Sequence, residues 1–224
     1  MIDKVLILAC DRPEYLEKCL KAAEGIAPVF VLLDKPANKE RLAGHHDCKK
    51  ILRSTKVEFE TNKSSLGCTS SMFKLLDTVM PGEIVLILED DIILNEDSKE
   101  GIEELLKSDE LRRDFIIKLS SFYWGWITNF DTIQKIESFR LQDVDELCGD
   151  EKEQTIRIFQ QEKIPFLWDK FYEEAAKYCN VQIVESSTAL AHNIGQDSSL
   201  QANDKQQGHA AIFIDGEFKE VVKL

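Results

Sequence analysis

The chain has 224 residues, 43% of them hydrophobic, and a formal net charge of −13. That is enough apolar material for one large or two small domains with a real core. The negative charge disfavours a nucleic-acid backbone or an anionic membrane as partner at long range, and no apolar run approaches the roughly 20 residues that span a bilayer.

Met1-Ile-Asp-Lys4 does not begin a signal peptide, so a cytoplasmic protein is expected, with peripheral membrane association left open. The cysteines at 10, 19, 48, 68, 148 and 179 form no C-x-x-C pair. Most fall in apolar patterns and read as reduced core residues rather than disulfides or a zinc site.

In chain order, Val5 to Ala9 is an apolar run, a first strand. Cys10-Asp-Arg-Pro13 follows, then Leu16, Cys19, Leu20 and Ala23 at helical spacing, with Pro13 in the first turn and Gly25 as the stop. Val29 to Leu33 predicts a second strand, ending at Asp34. Lys39 to Ser54 predicts a helix interrupted at Gly44, which would carry His45 and His46 on its surface. Val57-Glu-Phe59 is a short third strand, and Asn62 to Cys68 a polar turn containing Gly67. Met72, Leu75, Leu76 and Val79 mark an amphipathic helix closed by Pro81-Gly82. A fourth strand, Ile84 to Leu88, is continuously apolar and so buried on both faces. The order is βαβαβαβ, which predicts a mostly parallel sheet flanked by helices.

Glu89, Asp90 and Asp91 follow the fourth strand directly. Three adjacent carboxylates repel one another unless a cation compensates them. Ligands of open α/β sheets bind at the carboxyl ends of strands. The triplet is therefore either a metal and ligand site or a solvated acidic turn leading into the next helix. Arg12 and Asp34 also stand just past strand ends and would share that edge. The chain lacks both G-x-G-x-x-G after the first strand and G-x-x-x-x-G-K-[ST], which excludes an ordinary dinucleotide fold and a P-loop ATPase.

Past residue 95 the pattern weakens. Ile102, Leu105 and Leu106 predict a helix, and Phe115 to Leu119 a strand. Ser120 to Trp126 is dense in aromatics, and 137–163 is charged and weakly patterned, as in surface helices. Trp168, Phe171, Tyr172, Ala175, Ala176 and Cys179 keep a helical stripe. Val181–Val184 and Thr188–Ala191 suggest short strands. Residues 196–209 read as a loop, and Asp215-Gly216 as the turn of a hairpin between Ala211–Ile214 and Glu217–Val221.

Taken together, Leu8-Ala-Cys-Asp-Arg-Pro13, Asn62 with Leu66-Gly-Cys68, Ile87-Leu-Glu-Asp-Asp91, Trp124-Gly-Trp126, Trp168-Asp169 and Asn193-Ile-Gly195 resemble the metal-dependent GT-A glycosyltransferases. The likeness is to the group of N-acetylglucosaminyltransferase I and bacterial family 2 enzymes. It implies an α/β GT-A fold, Rossmann-like, of the nucleotide-diphospho-sugar transferase kind. It also implies one domain, with a nucleotide-binding half (1–95) and an acceptor half (96–224). The triplet stands where that family carries its D-x-D motif. Asp91 is thereby expected to bind Mn²⁺ or Mg²⁺, and Glu89 and Asp90 to lie against the donor ribose and sugar. Arg12, Asp34 and Gly67 match donor-contacting positions, and Asp169 the catalytic base.

Trp124, Gly125 and Trp126 are candidates for an acceptor-side wall, with a core role for the indoles equally open. Gly67 either admits a ligand to the backbone or makes a turn. Asp169 has a plainer reading as a helix-start acid. His192 is a weak candidate ligand, since imidazole suits Mn²⁺, against a structural histidine.

Two departures from the bacterial pattern, Ile127-Thr-Asn-Phe130 and Gln196-Asp-Ser-Ser199, fall where acceptor and lid contacts are expected. The resemblance implies an inverting hexosyl- or N-acetylhexosaminyltransferase. It would move a sugar from a nucleotide-sugar, UDP-N-acetylglucosamine or UDP-glucose first, to a glycan or glycolipid acceptor. The alternatives are a sugar-nucleotide pyrophosphorylase, disfavoured by the missing glycine-rich loop after the first strand, and a catalytically silent binding or scaffold protein.

Overall fold

A computed structural model describes residues 1–55, 57–120, 125–140, 168–195, 211–214 and 217–220. Seven strands form the central sheet, in the order β3-β2-β1-β4-β7-β6-β8. They are β1 (Lys4–Ala9), β2 (Val29–Leu33), β3 (Glu58–Thr61), β4 (Ile84–Glu89), β6 (Phe115–Lys118), β7 (Gly125–Asn129) and β8 (Gln182–Glu185). β1–β2, β1–β4, β2–β3 and β6–β8 pair parallel, and only β7 runs against its neighbours β4 and β6. The fold is thus the mostly parallel α/β sheet expected. Outside it, β5 (Ile92–Leu94) pairs antiparallel with β9 (Ala191–Asn193), and β10 (Ala211–Ile214) with β11 (Glu217–Glu220).

Helices cover both faces. α1 (Pro13–Ala23), α2 (Leu42–Ser54) and α4 (Ser98–Leu106) lie on one face, and α3 (Gly67–Leu76), α5 (Phe130–Arg140) and α6 (Trp168–Tyr178) on the other. β4 alternates between the two cores. Val85 and Ile87 pack with α3, α5 and α6, while Leu86 and Leu88 pack with α1 and α4. All four are at most 1% exposed, so the apolar run is the consequence of burial on both faces. Truncating Leu86, Ile87 or Leu88 to alanine would cost about 2–5 kcal/mol.

Several expectations need correction. Gly44 does not interrupt the predicted helix. A one-turn 3-10 segment at Lys39–Arg41 leads into α2, which runs through Gly44 unbroken. His45 is not on the surface but 2% exposed. β5, β7 and α5 were not predicted. β7 and α5 lie in an aromatic and charged stretch without clean alternation, yet Trp126, Ile127, Ile133 and Ile136 are all core residues.

The hairpin strands after residue 210 form, while Asp215-Gly216 and the loop 196–209 lie outside the described residues, as do Trp124 and Cys148. Cys10, Cys19, Cys48, Cys68 and Cys179 are free thiols. No helix among the described residues is long and apolar enough to cross a membrane.

Candidate functional site at the carboxyl edge of the sheet

Because β1, β2 and β4 run parallel with Leu8 opposite Glu89 and Ala9 opposite Leu33, their carboxyl ends deliver Arg12, Asp34 and the acidic triplet to one edge. Asp90 and Asp91 are 1% and 3% exposed. Two buried carboxylates side by side require compensation. Arg12 supplies it. Its Nη1 donates to Asp91 Oδ2 at 2.7 Å, and its Nη2 donates to Asp90 Oδ1. The Cys10 amide also donates to Asp90 Oδ2, at 3.4 Å. The Arg12 guanidinium lies 5.5 Å from the centre of the Tyr15 ring.

Burial opposes the charge on Arg12, but Asp90 and Asp91 outweigh it and raise its pKa above the ordinary value. Burial likewise pushes Asp90 up to about 6, against the lowering effect of Arg12. Glu89 goes further, to about 8, through burial first and then the charge of Asp91.

The Trp168 indole Nε1 donates to Glu89 Oε1 at 3.2 Å, bringing the first turn of α6 onto the triplet. Asp169 is in that turn, partly exposed, and its charge helps to raise the Cys68 thiol after burial, Glu89 and Asp90. Asp169 and the triplet therefore face one region of the molecule.

Asp91 Oδ1 is buried and has no hydrogen-bond partner among the described residues. An orphaned carboxylate oxygen of this kind is costly, and it is the donor type that a hard divalent cation takes. The residues present thus fit such an ion bound through one carboxylate. Among the described residues there is no cluster of three or more His, Cys, Asp or Glu that could hold a metal.

β5 and β9 bring Asn193-Ile-Gly195 against Asp91. The Ile194 amide donates to the Asp91 carbonyl at 2.8 Å. A Cβ on Gly195 would overlap Asp91 Oδ2 and sit 3.0 Å from Asp91 Cβ. His192 is paired with Ile93 across that ladder and is 7% exposed. Burial lowers its pKa, which favours the neutral imidazole.

Asp34 is 5% exposed and its carboxylate is engaged by the protein. Oδ1 accepts from Asn62 Nδ2 at 2.8 Å and from the Leu66 amide at 3.2 Å, and Oδ2 accepts from the Gly67 amide at 3.0 Å. Asp34 thereby fastens the start of α3. Gly67 has φ +78°, a left-handed conformation that favours glycine, and open space where a Cβ would be.

Trp126 does not present a flat wall to solvent. It is 1% exposed and stacks on Trp168 with ring centres 5.7 Å apart, next to Tyr172. Gly125 is a packing glycine, since a Cβ there would meet Ala191 Cβ at 3.0 Å and Leu88 Cδ2 at 3.2 Å. The sequence reading missed His45 and Arg41, which contact the loop bearing Arg12. Only the histidine pair at 45–46 could have drawn attention to them.

Comparison with known proteins agrees with this architecture. Residues 11–179 match the model of the family described as Glycosyltransferase family 25 (LPS biosynthesis protein). No curated protein sequence matches the chain. Among solved structures, residues 1–349 of S. aureus TarS are similar over 86% of this chain and 60% of that one, at 12% identity and a TM-score of 0.51. The glycosyltransferase GlyE of Streptococcus pneumoniae TIGR4 is similar over 84% and 46%, at 11% identity and a TM-score of 0.43. Mannosyltransferase PcManGT of Pyrobaculum calidifontis, in complex with GDP-Man and Mn²⁺, is similar over 62% and 47%, at 9% identity and a TM-score of 0.43. The likeness to TarS is one of fold, and the chain spans less than two thirds of each of these proteins' chains.

Proposed function

Because the chain belongs to glycosyltransferase family 25, we propose that it is a divalent-metal-dependent, inverting transferase. It moves a hexose or N-acetylhexosamine from a nucleotide-sugar, a UDP-sugar first, to a hydroxyl of a glycan or glycolipid. The family's description as an LPS biosynthesis protein agrees with a saccharide acceptor. The observation that supports the reading is the Trp168–Glu89 hydrogen bond, which brings the helical turn that carries Asp169 to the acidic triplet although 79 residues separate the bonded pair.

In this reading Asp91 holds Mn²⁺ or Mg²⁺ through Oδ1. The ion, when bound, is a Lewis acid for the negative charge that gathers on the leaving diphosphate. Arg12 offers a second, permanent positive charge to the same phosphates. Glu89 and Asp90 stand against the donor ribose and sugar, and Asp34 and Gly67 shape the donor side by setting the start of α3. His192 is a weaker candidate for the metal.

The acceptor hydroxyl is a poor nucleophile at neutral pH. Asp169 takes its proton as the new glycosidic bond forms. The bond to the leaving diphosphate breaks on the opposite side of the anomeric carbon, so the configuration inverts. Residues 1–95 form the donor half and 96–224 the acceptor half. Trp124, Gly125 and Trp126 belong to the acceptor half, with Trp126 acting from beneath by supporting Trp168.

The test is a panel of nucleotide-sugars incubated with the chain and Mn²⁺, with release of free nucleotide measured. A donor whose hydrolysis needs Mn²⁺ and is lost in D91N supports the reading. No metal-dependent nucleotide binding to the parent chain would sink it and leave a scaffold role.

A further inference from the structure

The loop Cys10–Arg12 touches the acids on one side and the start of α2 on the other. Three residues grip it from α2 and the turn before it. The fork of Arg41 spans both oxygens of the Asp11 carboxylate, with Nη2 donating to Oδ1 at 2.6 Å and Nε paired with Oδ2. The Asp11 side chain is only 4% exposed, although that of Arg41 is 52% exposed. A nearly buried carboxylate left without such a partner would be strongly disfavoured.

Gly44 approaches the same residue so closely that a Cβ would overlap the Asp11 carbonyl oxygen and stand 3.2 Å from its carbonyl carbon. His45 Nδ1 lies 3.0 Å from the Cys10 carbonyl oxygen. A carbonyl can only accept, so Nδ1 carries the proton in this contact. Beyond the loop, Pro13 has no amide hydrogen with which to fasten the chain, and Arg12 makes no side-chain cap to α1.

We propose that Arg41, Gly44 and His45 are positioning residues that lock the backbone of Cys10–Asp11–Arg12, so that the Arg12 guanidinium stands across Asp90 and Asp91 and faces the donor diphosphate. An unrestrained arginine side chain has rotamer entropy to lose on binding an anion. Fixing its root and clamping its fork removes part of that loss before the ligand arrives. The proposal rests on the donor-binding reading above for its purpose, but not for its geometry.

The geometry is tested without any ligand. In ¹⁵N-labelled protein the Arg12 Nε–Hε resonance is identified by its absence in R12K. R41Q and G44A are each expected to speed its hydrogen exchange by about tenfold or more, with the amide spectrum of the sheet retained. R41Q also covers the case in which G44A fails to fold. An Arg12 signal unchanged in R41Q overturns the proposal.

The second arm is a double-mutant cycle on binding of Mn²⁺·UDP, measured by calorimetry in the parent, R41Q, R12Q and R41Q/R12Q. R41Q is expected to weaken binding about tenfold in the parent and to add nothing in R12Q. Equal losses in both backgrounds mean that Arg41 does not act through Arg12, and overturn the proposal. A parent chain that binds no Mn²⁺·UDP defeats the donor reading instead, while the resonance of Arg12 still decides the positioning.

Discussion

Gly195 lies directly against Asp91: a Cβ at position 195 would fall on the Asp91 carboxylate, 3.0 Å from its Cγ. The two are brought together by the pairing of β5 with β9, and the Ile194 amide extends that ladder to the Asp91 carbonyl. The carboxylate is thus held from three sides. Gly195 limits it below, Arg12 takes Oδ2, and the backbone is pinned, which leaves Oδ1 as the oxygen with capacity for a ligand.

G195A is therefore expected to displace the Asp91 carboxylate. Mn²⁺ affinity should fall about 10–100-fold, the size usual for loss of a group that orients a metal ligand. Titration followed by the electron paramagnetic resonance of free Mn²⁺ reads it directly. D91N should lose more than G195A, and parent-like affinity in D91N would remove Asp91 as the ligand.

D169N should lower kcat by about 10²–10⁴, the usual share of a general base. The affinity for UDP should stay within about threefold, because the substitution leaves the donor side alone. Steady-state kinetics beside calorimetry separate the two. A kcat unchanged in D169N would rule out the base.

W168F leaves a smaller aromatic ring against Trp126 and removes the N–H that reaches Glu89. The lost hydrogen bond amounts to about 1 kcal/mol and the cut-back core side chain adds to it, so for a chain of this size the thermal midpoint should fall by at least about 2–4 °C. Because Asp169 shares the turn, kcat should also fall, with donor KM unchanged.

The Cys10 thiol is pushed up to about 12 by burial and then by the charges of Asp11 and Asp34. A raised pKa leaves less thiolate, and thiolate is the reactive form. Alkylation of Cys10 at pH 8 should run about a thousandfold slower than that of an ordinary exposed thiol, rising about tenfold per pH unit. Peptide mapping after timed iodoacetamide treatment measures it, and fast labelling at pH 8 would contradict the buried, acid-surrounded setting.

The first half of the fold was legible because its signals are local. Val5–Ala9, Val29–Leu33 and Ile84–Leu88 are short apolar runs, the helices between them repeat at 3.6 residues, and Pro13 and Gly25 punctuate one of them. Parallel pairing then had to bring Arg12, Asp34 and Glu89–Asp91 to one edge. The six motifs that resemble GT-A enzymes also pointed to a glycosyltransferase, which the match to family 25 bears out, although the group they most resembled is another one.

Tertiary structure decided the rest. β7 enters between β4 and β6 in the opposite direction, and β5 finds β9 about a hundred residues away, pairings that no local period encodes. Gly44 reads in sequence as a helix breaker, yet it sits within a continuous helix because another backbone occupies the space of its Cβ. Trp126 reads as a possible sugar platform, but the packing of α6 buries it. Arg12 stands 79 residues from Asp91 in the chain, and only the fold makes it the counter-charge that lets three adjacent carboxylates persist in a low-dielectric edge.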